Sequence, residues 1–180
     1  MQFIQHDLPG IIECIPTKFH DDRGHFYESY NQTRFAANGI PENFVQDNYS
    51  YSTAGVIRGL HFQKDPHGQG KLVRCMTGKV MDVVVDLRKS SPTFGQHGTY
   101  ILDAEIGNML YVPVGFAHGF VALTDAIFVY KCTDFWNKEA ESGIRWNDPT
   151  LNIAWGVDHA IVSDKDQILP LFDPNETIFK

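Results

Sequence analysis

The sequence predicts an all-β domain, a double-sheet sandwich or barrel with few short helices. Two observations carry this: short segments rich in β-branched and aromatic residues recur along the chain, and Gly, Pro, Asn and Asp turn signals separate them at close spacing. In order, residues 11–18 gather Ile11, Ile12 and Ile15 after Gly10, and 25–30 carry Phe26, Tyr27 and Tyr30 after Gly24. Residues 31–39 fit one short helix ending at Gly39. Segment 44–51 carries Phe44, Val45, Tyr49 and Tyr51; 56–62 follows Gly55; 71–77 and 78–87 meet at Gly78. Strands are further predicted over 98–104, over 108–112 before Pro113, and over 118–123 and 126–132. Residues 133–180, with Asn147, Asp148 and Pro149, read as loops and a tail folded back on the barrel.

At 180 residues the chain fits a single domain over 1–180, long enough to bury roughly two-thirds of its unfolded surface. A hydrophobic content of 43% and a charged content of 21% are ordinary for a globular chain. No apolar run reaches the roughly 20 residues needed to cross a bilayer, and the opening residues lack a basic start followed by an apolar stretch, so no membrane association or secretion is expected. Cys14, Cys75 and Cys132 are odd in number and far apart, which suggests neither a disulfide framework nor a zinc cluster and fits a reducing cytoplasm. A net charge of −7 argues against a nucleic-acid surface; an anionic small ligand needs a locally basic pocket instead.

Strand alternation sorts side chains by face. Lys71 shares a face with Val73 and Cys75, and Tyr130 with Phe128 and Cys132, so both polar groups point with apolar neighbours. A strand start at a wet rim and a satisfied core tyrosine would account for either alone. Asp82 and Asp86 alternate with Met81, Val83, Val85 and Leu87 and read as the wet face of an inner strand, without chemistry.

Two spacings matter, of which the second is fairly specific and the first alone is weak. His61 follows Gly55 by six positions, and Gly107, Pro113, Gly115 and His118 form G-x5-P-x-G-x-x-H. Together they resemble the two motifs of cupins, double-sheet barrels of the jelly-roll type. Metal-binding cupins carry a second histidine two places after the first and a glutamate before the next glycine; here Gln63 and Lys71 stand near those places. His61 and His118 alone fall short of the three or more ligands a transition metal normally takes, and an ammonium group repels the ion, so no catalytic metal is expected. What remains is an imidazole, a cation and a phenol, a set suited to moving protons beside a carbonyl.

Along nearly the whole chain the sequence resembles the dTDP-4-dehydrorhamnose 3,5-epimerases. The runs are DDRGHFYESY (21–30), FVQDNYS (44–50), GVIRGLHFQ (55–63), GQGKLVR (68–74), SPTFGQ (91–96), VPVGFAHGF (112–120), VYKCTDFW (129–136), IRWNDP (144–149) and SDKD (163–166). The resemblance implies a homodimer of jelly-roll barrels that inverts C3 and C5 of dTDP-4-dehydro-6-deoxy-D-glucose without a cofactor. It makes His61 the base, Asp166 the carboxylate that orients it, Tyr130 the acid and Lys71 the cation near the keto oxygen. Arg58 and His118 become sugar and phosphate contacts. Arg23, Phe26 and Glu28 belong to a run supplied by a neighbouring subunit. Gln46, Asp47 and Asn48 match the base-binding segment, Trp136 an aromatic that stacks on thymine, and Glu141 and Lys165 looser contacts.

Strict alternation sets Arg58 and His61 on opposite faces, so one pocket receives both only if Gly59 allows a bulge. Tyr51, His97 and Ile106 depart from the family pattern where a basic residue, Trp and Asn are usual, and Trp136 replaces a tyrosine. Two other functions fit the residues: an epimerase acting at C3 or C5 alone on a related sugar, and a non-catalytic sugar-binding cupin.

Overall fold

The computed structural model describes residues 1–40 and 43–180. Its elements run β1 (Gln2–Gln5), β2 (Ile12–Ile15), β3 (Phe19–Asp21), β4 (Gly24–Phe26), α1 (Gln32–Ala36), β5 (Gln46–Ser52), β6 (Val56–Gln63) and β7 (Lys71–Thr77). They continue with β8 (Lys79–Asp86), β9 (His97–Asp103), β10 (Met109–Val112), β11 (Phe116–Ala122), β12 (Ala126–Cys132), β13 (Glu141–Gly143), β14 (Ile161–Val162) and α2 (Asp164–Gln167). One sheet has the order β1-β2-β10-β7-β12-β5, the other β13-β6-β11-β8-β9 with β14 alongside β6, and β3-β4 form a separate hairpin. All pairings are antiparallel except β14 with β6.

The two sheets enclose one core, in which Val73, Cys75, Val80, Val84, Phe120 and Phe128 are buried. A second cluster covers the outer face of the β6-β11-β8 sheet: Ile57, Leu60, Val83 and Val85 pack under Ile144, Leu151, Trp155 and Phe172. Burying one such side chain contributes roughly 1.5–3 kcal/mol, so the tail is a structural layer of the barrel. Asp148 fastens it by accepting the N–H groups of Thr150 and Leu151 at 2.8 Å and of Phe172 at 2.7 Å.

Several expectations shift. The strand expected over 25–30 stops at Phe26, and the chain proceeds to Asn31, whose side chain accepts from Arg34 N and caps α1. The tail holds β13, β14 and α2 as well as loops. The reading of Asp82 and Asp86 as a wet face is wrong: both are fully buried. Because the tail covers the outside of β8, neither face of that strand meets water from Asp82 to Asp86. Asp82, in phase with Val80 and Val84, points between the sheets.

Among the described residues, no helix is long and apolar enough to cross a membrane.

Candidate active site

Gly59 decides how β6 enters the site. Its φ is +114°, a conformation open to glycine, and a Cβ there would lie 2.7 Å from both Gly119 Cα and the His118 carbonyl oxygen. Register against β11 shifts between the His118–His61 and Phe120–Arg58 pairs. The bulge turns Arg58 and His61 into one cavity of about 390 Å³, which Tyr49, Ser50, Lys71, His118, Phe128, Tyr130, Lys165 and Asp166 also line. The condition set by alternation is met by an irregularity at the glycine.

His61 Nε2 lies 2.7 Å from Asp166 Oδ1. Asp166 is buried on α2, where its N–H donates to Ser163 Oγ at 3.2 Å, and its Oδ2 accepts the Gly59 N–H at 3.2 Å. Burial alone would raise this carboxyl, but the His61 hydrogen bond and charge, Gly59 N–H and Ser163 outweigh it and hold the group below its ordinary range. An ionised carboxylate only accepts, so Nε2 carries the imidazole hydrogen and Nδ1 keeps the lone pair. His61 is thereby held with Nδ1 free to accept a proton and with a negative charge beside it that would stabilise an imidazolium.

Lys71 opens β7 directly opposite Cys132 of β12 and is buried. Burial lowers its ammonium pKa, against the opposing pull of Cys132, Asp82 and Glu141. Tyr130, two residues earlier on β12, is raised by burial and by Cys132, while Arg58 pulls it down. Its hydroxyl therefore keeps its proton at neutral pH. Cys14 and Cys75 are pushed up to about 12 by burial and stay thiols.

His118 Nε2 lies 2.8 Å from Asp82 Oδ2, fully inside the barrel. Burial raises Asp82, with His118 and Lys71 acting the other way, and Asp82 Oδ1 has no hydrogen-bond partner among the described residues. Sequence reasoning missed this pair. The usable signal was the phase of Asp82 with two interior valines.

A second cavity of about 600 Å³ adjoins the first and shares His61, Lys71 and Tyr130 with it; its lining also includes Gln46, Asn48, Gln63, Gln69, Phe135, Trp136 and Glu141. Glu141 and Lys165 form an ion pair at 2.8 Å on the rim. Four sequence candidates lie elsewhere in this chain. Arg23 donates to Asp21 at 2.6 Å on the exposed β3-β4 hairpin, Phe26 is 73% exposed, and Glu28 pairs with Arg34 at 3.2 Å. Asp47 points to the outer face of its sheet and accepts from Lys131 Nζ at 3.0 Å. Arg58 donates to Ser52 Oγ and to the Tyr51 carbonyl, both at 3.0 Å, which fixes its stem at the cavity wall.

The donor set does not suit a transition metal. His61 and His118 each have Nε2 engaged by a carboxylate, Lys71 stands beside them, and Gln63 is turned away toward loop backbone. The arrangement suits proton transfer: an oriented imidazole, a neutral phenol and a buried cation on shared walls, joined to a second compartment with an exposed aromatic at its edge.

Comparison with known proteins agrees. A family model described as dTDP-4-dehydrorhamnose 3,5-epimerase matches residues 5–174. The dTDP-4-dehydrorhamnose 3,5-epimerase of Pseudomonas aeruginosa is 53% identical over 163 residues, which span 89% of this chain and 90% of that protein. The crystal structure of the Bacillus anthracis protein of the same name, with TDP and PPi bound, is similar at a TM-score of 0.93 and 48% identity, covering 95% of this chain and 99% of that one. A dTDP-6-deoxy-D-glucose-3,5-epimerase from Legionella pneumophila, in complex with dTDP-4-keto-L-rhamnose, matches at a TM-score of 0.90 and 43% identity over 94% of this chain and 92% of that one. With nearly its full length matched in sequence and in fold, the chain belongs to the dTDP-4-dehydrorhamnose 3,5-epimerase family, isomerases built on the cupin jelly roll.

Proposed function

We propose that this chain converts dTDP-4-dehydro-6-deoxy-D-glucose to dTDP-4-dehydro-L-rhamnose by inverting C3 and C5, without a cofactor or catalytic metal. The observation that carries the reading is the sharing of His61, Lys71 and Tyr130 by two adjoining cavities. That division fits a two-part substrate: the keto sugar among Arg58, His61, His118 and Tyr130, and the nucleotide toward Gln46, Asn48 and Trp136.

In this reading His61 Nδ1 takes the proton from a carbon next to the C4 ketone. The C–H electron pair moves into the ring to form an enolate, and the Lys71 ammonium stabilises the oxygen. Tyr130 O–H then gives a proton to the opposite face of that carbon and the ketone re-forms. Proton balance is restored when His61 loses its proton and the phenolate regains one from solvent. Each such transfer by a positioned side chain contributes roughly 10²–10⁴-fold. Asp166 acts by holding the imidazole and its positive charge. Stacking a base on Trp136 contributes roughly 1–3 kcal/mol, with Glu141 and Lys165 at the diphosphate side.

A homodimer completes the site. Arg23, Phe26 and Glu28 are assigned to the pocket of the partner copy, which fits the exposure of Phe19 and Phe26 on the hairpin. The outer face of the β5-β12-β7 sheet carries exposed Tyr49, Tyr51 and Met76 beside a largely apolar groove of about 590 Å³ that includes Ile127 and Val129. Asp47 belongs with that face, its base-binding role then depending on the assembled dimer. Three free, buried cysteines fit a cytoplasmic location.

The experiment is turnover of dTDP-4-dehydro-6-deoxy-D-glucose in deuterium oxide, coupled to a rhamnose-forming reductase. Label at both C3 and C5 in a product of L-rhamno configuration is expected. Label at C3 alone would establish a single epimerisation, and binding without exchange a sugar-binding barrel.

A further inference from the structure

Gln63 stands two residues beyond His61 on the same face of β6 and is buried, yet the reaction proposed above gives it no task. Its amide is fully occupied. Nε2 donates to the carbonyls of His67 at 2.7 Å and Phe135 at 3.2 Å, and Oε1 accepts the Asn137 N–H at 2.7 Å. Two further glutamines grip the same loop: Gln69 donates to the Asp134 carbonyl at 2.7 Å, and Gln46 accepts the Trp136 N–H at 2.9 Å. Four successive residues, 134 to 137, are thus held through their backbone by three amide side chains.

Side-chain packing supplies little of that restraint. Phe135 is 64% and Trp136 54% exposed, so neither aromatic gains enough burial to anchor the segment. The loop's position depends on its polar ties, and Gln63 provides two of the four, from the strand that also carries His61. A rigid strand with the base at one position and the loop tie two residues on sets a fixed span between them.

We propose that Gln63 is a positioning residue for nucleotide recognition, fixing the Phe135–Trp136 platform at the distance from His61 that a nucleoside diphosphate-sugar must bridge. The proposal rests on the reading of Trp136 as the nucleobase platform. Gln63 touches the loop backbone, not the reacting carbon, so its removal loosens the platform and leaves the proton transfers intact.

The test compares Gln63→Met, close in volume but without the amide, with Trp136→Ala, using dTDP as the titrated ligand and the dTDP-4-keto sugar as substrate. Gln63→Met is expected to raise KM and the Kd for dTDP together by about tenfold, through lost preorganisation of the loop. Its kcat is expected to stay within about twofold, a split that a merely structural defect would not produce. Combining Gln63→Met with Trp136→Ala should add little to the loss from Trp136→Ala alone, because the two act through one contact. If Trp136→Ala lowers dTDP affinity and Gln63→Met does not, the proposal falls while the platform reading stands. If Trp136→Ala itself leaves dTDP affinity unchanged, the platform reading falls and takes the proposal with it. Should Gln63→Met fail to fold, Gln63→Glu keeps an acceptor for the Asn137 N–H but loses both donated bonds, and is expected to raise KM and Kd by about threefold with kcat unchanged; an unchanged Kd there overturns the proposal.

Discussion

Asp166 holds His61 and the strand beneath it with one carboxylate: Oδ1 lies 2.7 Å from the imidazole Nε2, and Oδ2 accepts the N–H of Gly59, where β6 bulges. The group that sets the tautomer of His61 therefore also steadies the bend that brings Arg58 and His61 to one cavity. α2 is a single turn, but Ser163 caps it and its placement against β6 has direct consequences for the chemistry.

Asp166→Asn tests the tautomer argument. An amide keeps the carboxylate's shape and can still accept from Gly59, but it can present N–H to Nε2, which moves the imidazole hydrogen to Nδ1 and removes the base. Deuterium exchange at the sugar carbons is expected to slow by about 10²–10⁴-fold with the fold retained, read by NMR and circular dichroism.

Tyr130→Phe removes one hydroxyl from a half-buried ring. Proton removal by His61 should continue, so solvent exchange persists, while formation of inverted product falls by about 10²-fold or more. Unchanged product formation would exclude Tyr130 as the acid.

Alternation on long strands showed Lys71 and Tyr130 among apolar neighbours, but the roles of His61 as base and Tyr130 as acid came from the family resemblance and not from periodicity. His61, Lys71 and Tyr130 could be recognised before any coordinates, and Gly59 could be named as the place where alternation had to break. What escaped was set by distant parts of the chain. Asp82 and Asp86 look solvent-facing only while β8 is assumed to have one wet side, and the layer formed by Ile144, Leu151, Trp155 and Phe172 removes that side. β13, β14 and α2 are two to four residues long, too short for a period to show, and β14 exists only through its pairing with β6. The Gln63 loop tie joins side chain to backbone across more than 70 positions and leaves no mark in periodicity.

Exhaustive dialysis against a chelator is expected to leave turnover within about twofold, because the second-histidine and glutamate positions of a metal cupin are replaced here by an amide that faces loop backbone and by an ammonium group. Loss of activity restored by iron, manganese or zinc would overturn the metal-free reading.

Asp86 ties the end of β8 to the segment that follows it. It accepts from Arg88 at 2.9 and 2.6 Å, Ser91 at 2.6 Å and Thr93 at 2.7 Å. Asp86→Ala removes the acceptor these donors share, leaving Arg88 the Pro9 carbonyl and Ser91 and Thr93 each other, and is expected to cost about 1–3 kcal/mol in urea unfolding. Burial would raise this carboxyl, but the Arg88, Ser91 and Thr93 bonds hold it below its free value of 3.8. A depressed carboxylate stabilises the fold fully above the unfolded value and loses that contribution as pH falls through the folded one. Acid unfolding of the wild type should therefore include a steep limb below pH 3.8 that Asp86→Asn makes shallower.

Gly59→Ala separates folding from aim. A methyl group at φ +114° is strained by about 1–3 kcal/mol, and it would press on Gly119 Cα and the His118 carbonyl at 2.7 Å, both backbone atoms that yield only if β11 moves. The strand can relieve the contact by flattening the bulge, since both pairs that flank it already have regular partners. Flattening restores strict alternation, which sends Arg58 or His61 out of the cavity. A modest fall in melting temperature is expected beside a loss of kcat/KM of more than about 10²-fold, the scale on which misplacing a reacting group by an ångström acts. If activity falls only in proportion to the folded fraction, the bulge matters for stability alone and the two side chains reach the sugar by another route.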